Sequence, residues 1–202
     1  MKRRTWAGLV CALLLCAAAV SVAAPAASAQ GERGGGRRYV QGTMVGVGGR
    51  YGGRSLPFNL IVERYTTPGQ VQELNDALQR GQDELLRTLS RMDAGRVSLG
   101  NNVGVTANAV IETPQAGGGT KLTVLYQRNV QLFELRYGTR SSDYRFGYAE
   151  IFLDARGRGQ GTIIPAARIR LRDGNTWEVE DFAEFPARLM GVRVRGEGRG
   201  AR

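Results

Sequence analysis

The sequence predicts an α+β protein: an antiparallel, curved β-sheet or incomplete β-barrel with one inserted helical pair. Three observations carry that class. From Tyr39 onward the chain is a succession of short segments with apolar residues at alternate positions, separated by stretches rich in glycine, asparagine and aspartate, which is the signature of antiparallel strands in a curved sheet or barrel. The apolar period changes to that of a helix only once, between Pro68 and about Met92. No internal repeat and no second linker divides the chain, so one domain is expected.

The elements follow in order. Lys2, Arg3 and Arg4 precede an apolar run from Trp6 to about Val22, then Pro25 and Ala27-Ser28-Ala29. This is the order of a secretory signal peptide cleaved after Ala29. The apolar run is long enough to span a bilayer if it is kept; cleavage leaves 173 residues from Gln30 with no transmembrane segment. The expected location is therefore the periplasm or the exterior, reached by ordinary secretion. Thr5, Trp6 and Ala7 fit a twin-arginine signal poorly, and bulky Leu15 precedes Cys16 where a lipidation site needs a small residue. Residues 30–38 (QGERGGGRR) and 196–202 (GEGRGAR) carry almost no apolar side chain. Both are expected to be disordered, leaving a single β-rich domain over 39–195.

Within that domain a first strand is expected over Tyr39 to Val47 and a second in SLPFNLIVE, where Leu56, Phe58, Leu60 and Val62 alternate with the other face. Between them VGVGGRYGGRS, Val45 to Ser55, holds five glycines in eleven residues. A glycine-rich loop cradles phosphate where a strand feeds a helix N-terminus. Here the next element is a strand, so the loop reads as a hairpin connection. Thr67 is an N-cap, Pro68 suits the first helical position and Gln70 completes a capping box. Val71, Leu74 and Leu78 share one face, and Gly81 stops the helix. A second helix follows with Leu85, Leu86, Leu89 and Met92 as its apolar stripe.

Strands resume at Val97 to Leu99, then Val103 to Thr113 with Val103, Val105, Ala107, Ala109 and Ile111 on one face. Further strands are expected at Lys121 to Gln127, Leu132 to Tyr137, Tyr144 to Leu153, Thr162 to Arg172, Thr176 to Phe182 and Arg188 to Val194. One hairpin can be read to its register. A three-residue loop, Asp173 to Asn175, pairs Leu171 with Trp177, Ile169 with Val179, Arg170 with Glu178 and Arg168 with Glu180. One face is then apolar and the other an arginine-glutamate ladder; a two-residue turn would mix the faces.

The sequence contains no histidine, and its two cysteines, Cys11 and Cys16, leave with the signal. Serine-histidine triads, cysteine nucleophiles and histidine-cysteine zinc sites are thereby excluded. Lys121 is the only lysine beyond the leader and has no evident serine partner. Carboxylates remain. Glu178, Glu180, Asp181 and Glu184 cluster in one segment. Glu150 stands mid-strand between Tyr148 and Phe152 and expects an arginine partner such as Arg136 or Arg145. DARGRGQG lacks the repeated acids of a calcium loop and reads as a hairpin. No metal or cofactor is expected, and the enzyme reading is the weaker one.

The net charge of +10 falls to +7 once the leader's three charges are removed, and only +2 of that lies between Tyr39 and Met190. Polyanion contact is therefore expected to be weak, non-specific and confined to the tails, with no specific nucleic-acid binding.

The candidate ligand site is the aromatic set Tyr126, Phe133, Tyr137, Tyr144, Phe146, Tyr148 and Phe152, with Glu150 among them. These rings either line a cavity for a small apolar or amphipathic molecule or fill the core. The functional expectation is an exported binding or accessory protein; the alternatives are a carboxylate-dependent hydrolase of envelope polysaccharide and a polyanion-binding surface protein.

The segments DELLRTLSRMDAGRVSLG and LRYGTRSSDYRFGYAEIFLDARGRGQGTIIPAARIRLRDG resemble those of a family of uncharacterised exported bacterial proteins. That resemblance implies export. It implies no activity, ligand or site residue.

Overall fold

The computed structural model describes residues 36–47, 52–128, 143–172, 176–181 and 186–196. The strands are β1 Arg38–Val45, β2 Ser55–Val62, β3 Gly95–Leu99, β4 Val105–Ala107, β5 Ala109–Pro114, β6 Thr120–Gln127, β7 Phe146–Leu153, β8 Arg158–Arg172, β9 Thr176–Asp181 and β10 Ala187–Gly196. The helices are α1 Pro68–Arg80 and α2 Gln82–Ser90. All ten strands belong to one antiparallel sheet in the order β4-β3-β2-β1-β10-β8-β7-β6-β5, with β9 hydrogen-bonded to β8 off that path. The two ends of the path, β4 and β5, are consecutive in the chain and joined through Asn108. Chain continuity thus bridges the place where ladder hydrogen bonds stop. The result is a nearly closed barrel with a seam, plus two helices.

Strand direction alternates along that path. The ends of β1 and β6, the starts of β2 and β7 and the turn 100–104 therefore lie at one end, the loop end, and the turns 115–119 and 154–157 at the other. Side chains alternate between the two faces. Those turned inward include Met44, Phe58, Val124, Ile151, Ile163 and Leu189, each fully buried in one contiguous cluster. The interior of the barrel is thus packed with side chains. Gly147 belongs to this packing: the Tyr126 ring occupies the space that a Cβ at Gly147 would take.

The helical pair covers part of the outer face. Leu74, Leu78, Leu85 and Leu89 form a second buried cluster with Ala109, Leu125, Phe146 and Ile169. The expected capping box is present: the Gln70 backbone N–H donates to Thr67 Oγ1 and the Thr67 N–H donates to Gln70 Oε1. Gly81 ends α1 at φ 119°, a backbone value that favours glycine.

The β8–β9 pairing has the register read from the sequence, Ile169 opposite Val179 and Leu171 opposite Trp177. The ion pair on its polar face is diagonal, Arg170 to Glu180 at 3.1 Å. Arg168 is half-buried, whereas Arg170 and Arg172 are exposed, so the arginine row is only partly solvated. The glycine-rich segment does join two strands, since Val45 pairs with Ser55; residues 48–51 lie outside the described residues. So does the strand expected at Leu132 to Tyr137.

The expected strand boundaries are overturned at one place. Val103 to Thr113 is not a continuous strand: β4 and β5 are separate, and Ala107 packs into the barrel interior while Ala109 packs under the helices and Val110 returns to the interior. Asn108 is inserted between the faces and shifts the alternation by one residue. Its side chain supplies the reason. Nδ2 donates to the carbonyls of Leu89 and Met92 at 3.0 and 3.1 Å, and Oδ1 accepts the Gln127 N–H at 2.8 Å. One buried amide therefore ties the end of α2 and the edge of β6 to the seam.

Candidate functional site at the loop end of the barrel

At the loop end the packed interior rises to an open depression of about 450 Å³. Val97, Leu99, Val103, Val105, Tyr126 and Pro165 line it, with Asn102, Gln127 and Arg128 among the polar groups at its border. Tyr126 is 7% exposed and Val103 is 82% exposed, so the wall runs from a nearly dry floor to an aliphatic lip in water. Gly104, at φ 84°, lets the chain turn back against Val97, where any side chain would meet the Val97 carbonyl.

Hydrogen bonds fix the far rim. The Arg128 N–H donates to the Arg145 carbonyl at 2.8 Å, prolonging the β6–β7 ladder. Arg128 Nε donates to the Tyr144 carbonyl at 2.9 Å, and the Tyr144 hydroxyl donates to Glu180 Oε1 at 2.8 Å. Arg145 pairs with Asp83 at 2.6 Å, and Trp177 Nε1 donates to Asn75 Oδ1 at 2.7 Å. The rim, β9 and the helical pair are therefore one connected support.

The candidate aromatic residues do not share one lining. Tyr126 lies at the floor of the depression and Tyr144 in the rim network. Phe146 is fully buried beneath the helical pair, and Tyr148 packs against that same cluster. Glu150 and Phe152 follow on the outer face of β7. Phe133 and Tyr137 lie outside the described residues. Val103, Pro165 and Asn102 border the depression without having been candidates; only the apolar character of Val103 in a glycine-flanked loop signalled it.

Glu150 shares a face with Tyr148 and Phe152 as expected, but its cation is Lys121, at 3.3 Å, rather than an arginine. Lys121 stands on the neighbouring strand, diagonal to Glu150 across the β6–β7 register. Arg145 is engaged with Asp83 instead. Burial pushes the Tyr148 phenol far above its ordinary range, and the hydrogen bond to Glu150 and that residue's charge act in the same direction. The phenol thus stays protonated beside a carboxylate already held by an ammonium. Glu180 is likewise occupied, by Tyr144 and Arg170. Among the described residues no group of three acids lies close enough to hold a metal ion, and no helix is long and apolar enough to cross a membrane.

Fold and site together define a nearly closed antiparallel barrel with a filled interior and an apolar mouth. No family model, curated protein or solved structure matches the chain.

Proposed function

We propose that this is an exported, non-enzymatic binding protein that takes a small apolar or amphipathic molecule at the loop-end mouth. The observation that carries the reading is the mouth itself: an apolar depression whose lip, Val103, is left 82% exposed while the barrel interior beneath is full. Small-molecule sites combine apolar walls with a few polar groups that orient the ligand. Here Asn102, Gln127 and Arg128 stand in that position. Binding at the mouth would leave the packed core undisturbed. Against catalysis stands the engagement of two of the strand acids, Glu150 with Lys121 and Glu180 with Tyr144 and Arg170.

The test is calorimetric titration with dodecanoate and with anilinonaphthalene sulfonate. Saturable binding is expected, weakened about tenfold by Val103→Asp, the worth of one aliphatic contact. Absence of binding, or binding that Val103→Asp leaves unchanged, refutes the mouth as the site. Export is checked by mass spectrometry of the secreted protein, where an N-terminus at Gln30 is expected and a retained leader would refute cleavage.

A further inference from the structure

On the outer face, the strands β10 and β8 and the end of β7 carry an arrangement that the mouth does not use. Arg188, Arg193 and Arg195 of β10 and Arg158 of β8 are all exposed. The register sets Arg193 directly opposite Arg158. Like charges facing across an antiparallel pair destabilise it. Among the described residues none of these four arginines makes an ion pair. Asp154 Oδ1 accepts the backbone N–H groups of Arg156 and Arg158, each at 2.8 Å, and its charge also acts on the Arg158 side chain, while Glu150 holds Lys121.

Two large apolar side chains stand among these charges. Met190 is 53% exposed and Phe152 47%. Phe152 pairs with Gln160, and Gln160 in turn lies opposite the irregularity in β10 between Leu189 and Val192. Gly191 there adopts φ 61°, the conformation of a bulge that re-aims the side chain beside it. Met190, Gln160 and Phe152 border one shallow groove of about 680 Å³, with Arg158 and Asp154 at its edge. An exposed apolar strip flanked by cations is matched by a surface that is anionic outside and apolar just beneath.

We propose that this face of β10, β8 and the end of β7 docks on an anionic phospholipid bilayer, with Arg158, Arg188, Arg193 and Arg195 at the headgroups and Met190 and Phe152 entering the interfacial layer. A soluble polyanion would satisfy the arginines alone and leave the two apolar side chains in water, which is why the bilayer is the better fit. The surface shares no residue with the mouth, so the two functions stand or fall separately.

The chain from Gln30 retains every described element and is floated with vesicles of phosphatidylglycerol and phosphatidylcholine, and with vesicles of phosphatidylcholine alone. Binding to the anionic vesicles is expected, falling as salt rises. Each arginine near an anionic surface contributes about a fivefold gain in partition, so changing all four to serine lowers binding by roughly several hundredfold. Met190→Ser with Phe152→Ser lowers it about tenfold or more and leaves dextran sulfate binding unchanged. If the four-site variant loses its thermal transition, Arg188→Ser with Arg195→Ser carries the same comparison at about 25-fold.

Equal binding to phosphatidylcholine alone overturns the proposal. So does loss of binding in a tail variant, with Arg33, Arg37, Arg199 and Arg202 changed to serine, when the face variant keeps it. Insensitivity to the Met190 and Phe152 changes would assign the face to soluble polyanions and equally overturn it.

Discussion

Asn108→Ala tests whether one side chain holds the seam. The residue is 5% exposed, and its amide makes all three of its described hydrogen bonds to backbone groups. Alanine removes them together. The Leu89 carbonyl keeps the Met92 N–H, at 2.9 Å, so the main losses fall on the Gln127 N–H and the Met92 carbonyl. A polar group left buried and unsatisfied costs about 1 to 3 kcal/mol; both of these hydrogen bonds are part-buried, so the lower end applies and the two together cost about 2 to 3 kcal/mol. That is a large part of the roughly 5 to 15 kcal/mol that holds a typical domain folded. Equilibrium urea unfolding is the assay, followed by far-ultraviolet circular dichroism and by fluorescence of Trp177, the only tryptophan besides Trp6. The midpoint should fall at constant m-value. Asn108→Asp sharpens the test: it keeps the acceptor for Gln127 but turns a carboxylate toward two carbonyl oxygens. It should be at least as damaging as alanine at neutral pH and should recover in part when acid restores an O–H donor. A loss below about 0.5 kcal/mol for Asn108→Ala, within the range of an ordinary surface substitution, would refute the reasoning.

Two further outcomes follow from burial and from the β7–β8 turn. Leu74→Ala and Leu89→Ala, both at fully buried positions, should each cost about 2 to 5 kcal/mol in the same urea assay; losses below about 0.5 kcal/mol at both would mean that the helical pair is not part of the cooperative fold. Asp154 has its carboxyl held below the usual range, first by the Arg158 backbone N–H and then by that of Arg156. The turn it stabilises is therefore strongest above about pH 4, where the unfolded carboxyl is also ionised, and weakens as pH falls through the lower folded value. Asp154→Ala should lower the thermal midpoint at neutral pH and match the parent in strong acid; a gap that persisted there unchanged would contradict it.

The elements legible in the sequence are those whose signals are local. The helix start at Thr67 and stop at Gly81 rest on capping chemistry confined to a few neighbouring residues. The β8–β9 register rests on one apolar and one charged face that only one pairing keeps apart. Ala107 and Ala109 defeated the same logic, because alanine is small enough for either face. Nothing in the sequence marks Asn108 as the point where the alternation slips. Its partners are Leu89, Met92 and Gln127, 19, 16 and 19 residues away. A lone asparagine in a strand-like run signals such a role only when the ring is closed around it.

The candidate site was less legible, for a related reason. Composition supplied seven aromatic residues in a short span, but a strand divides its residues between two faces, and the barrel gives those faces opposite fates. Tyr126 goes to the interior cluster and Phe146 beneath the helices. Phe152 is left in water. Charge behaved likewise. A count along the chain left most of the basic excess outside Tyr39 to Met190, with Arg193 and Arg195 in that remainder, yet both stand in β10. Cross-strand pairing with β8 sets Arg193 against Arg158, 35 positions earlier in the sequence. Two modest linear densities thereby become one surface, and the repulsion built into it is a cost that an anionic partner would relieve.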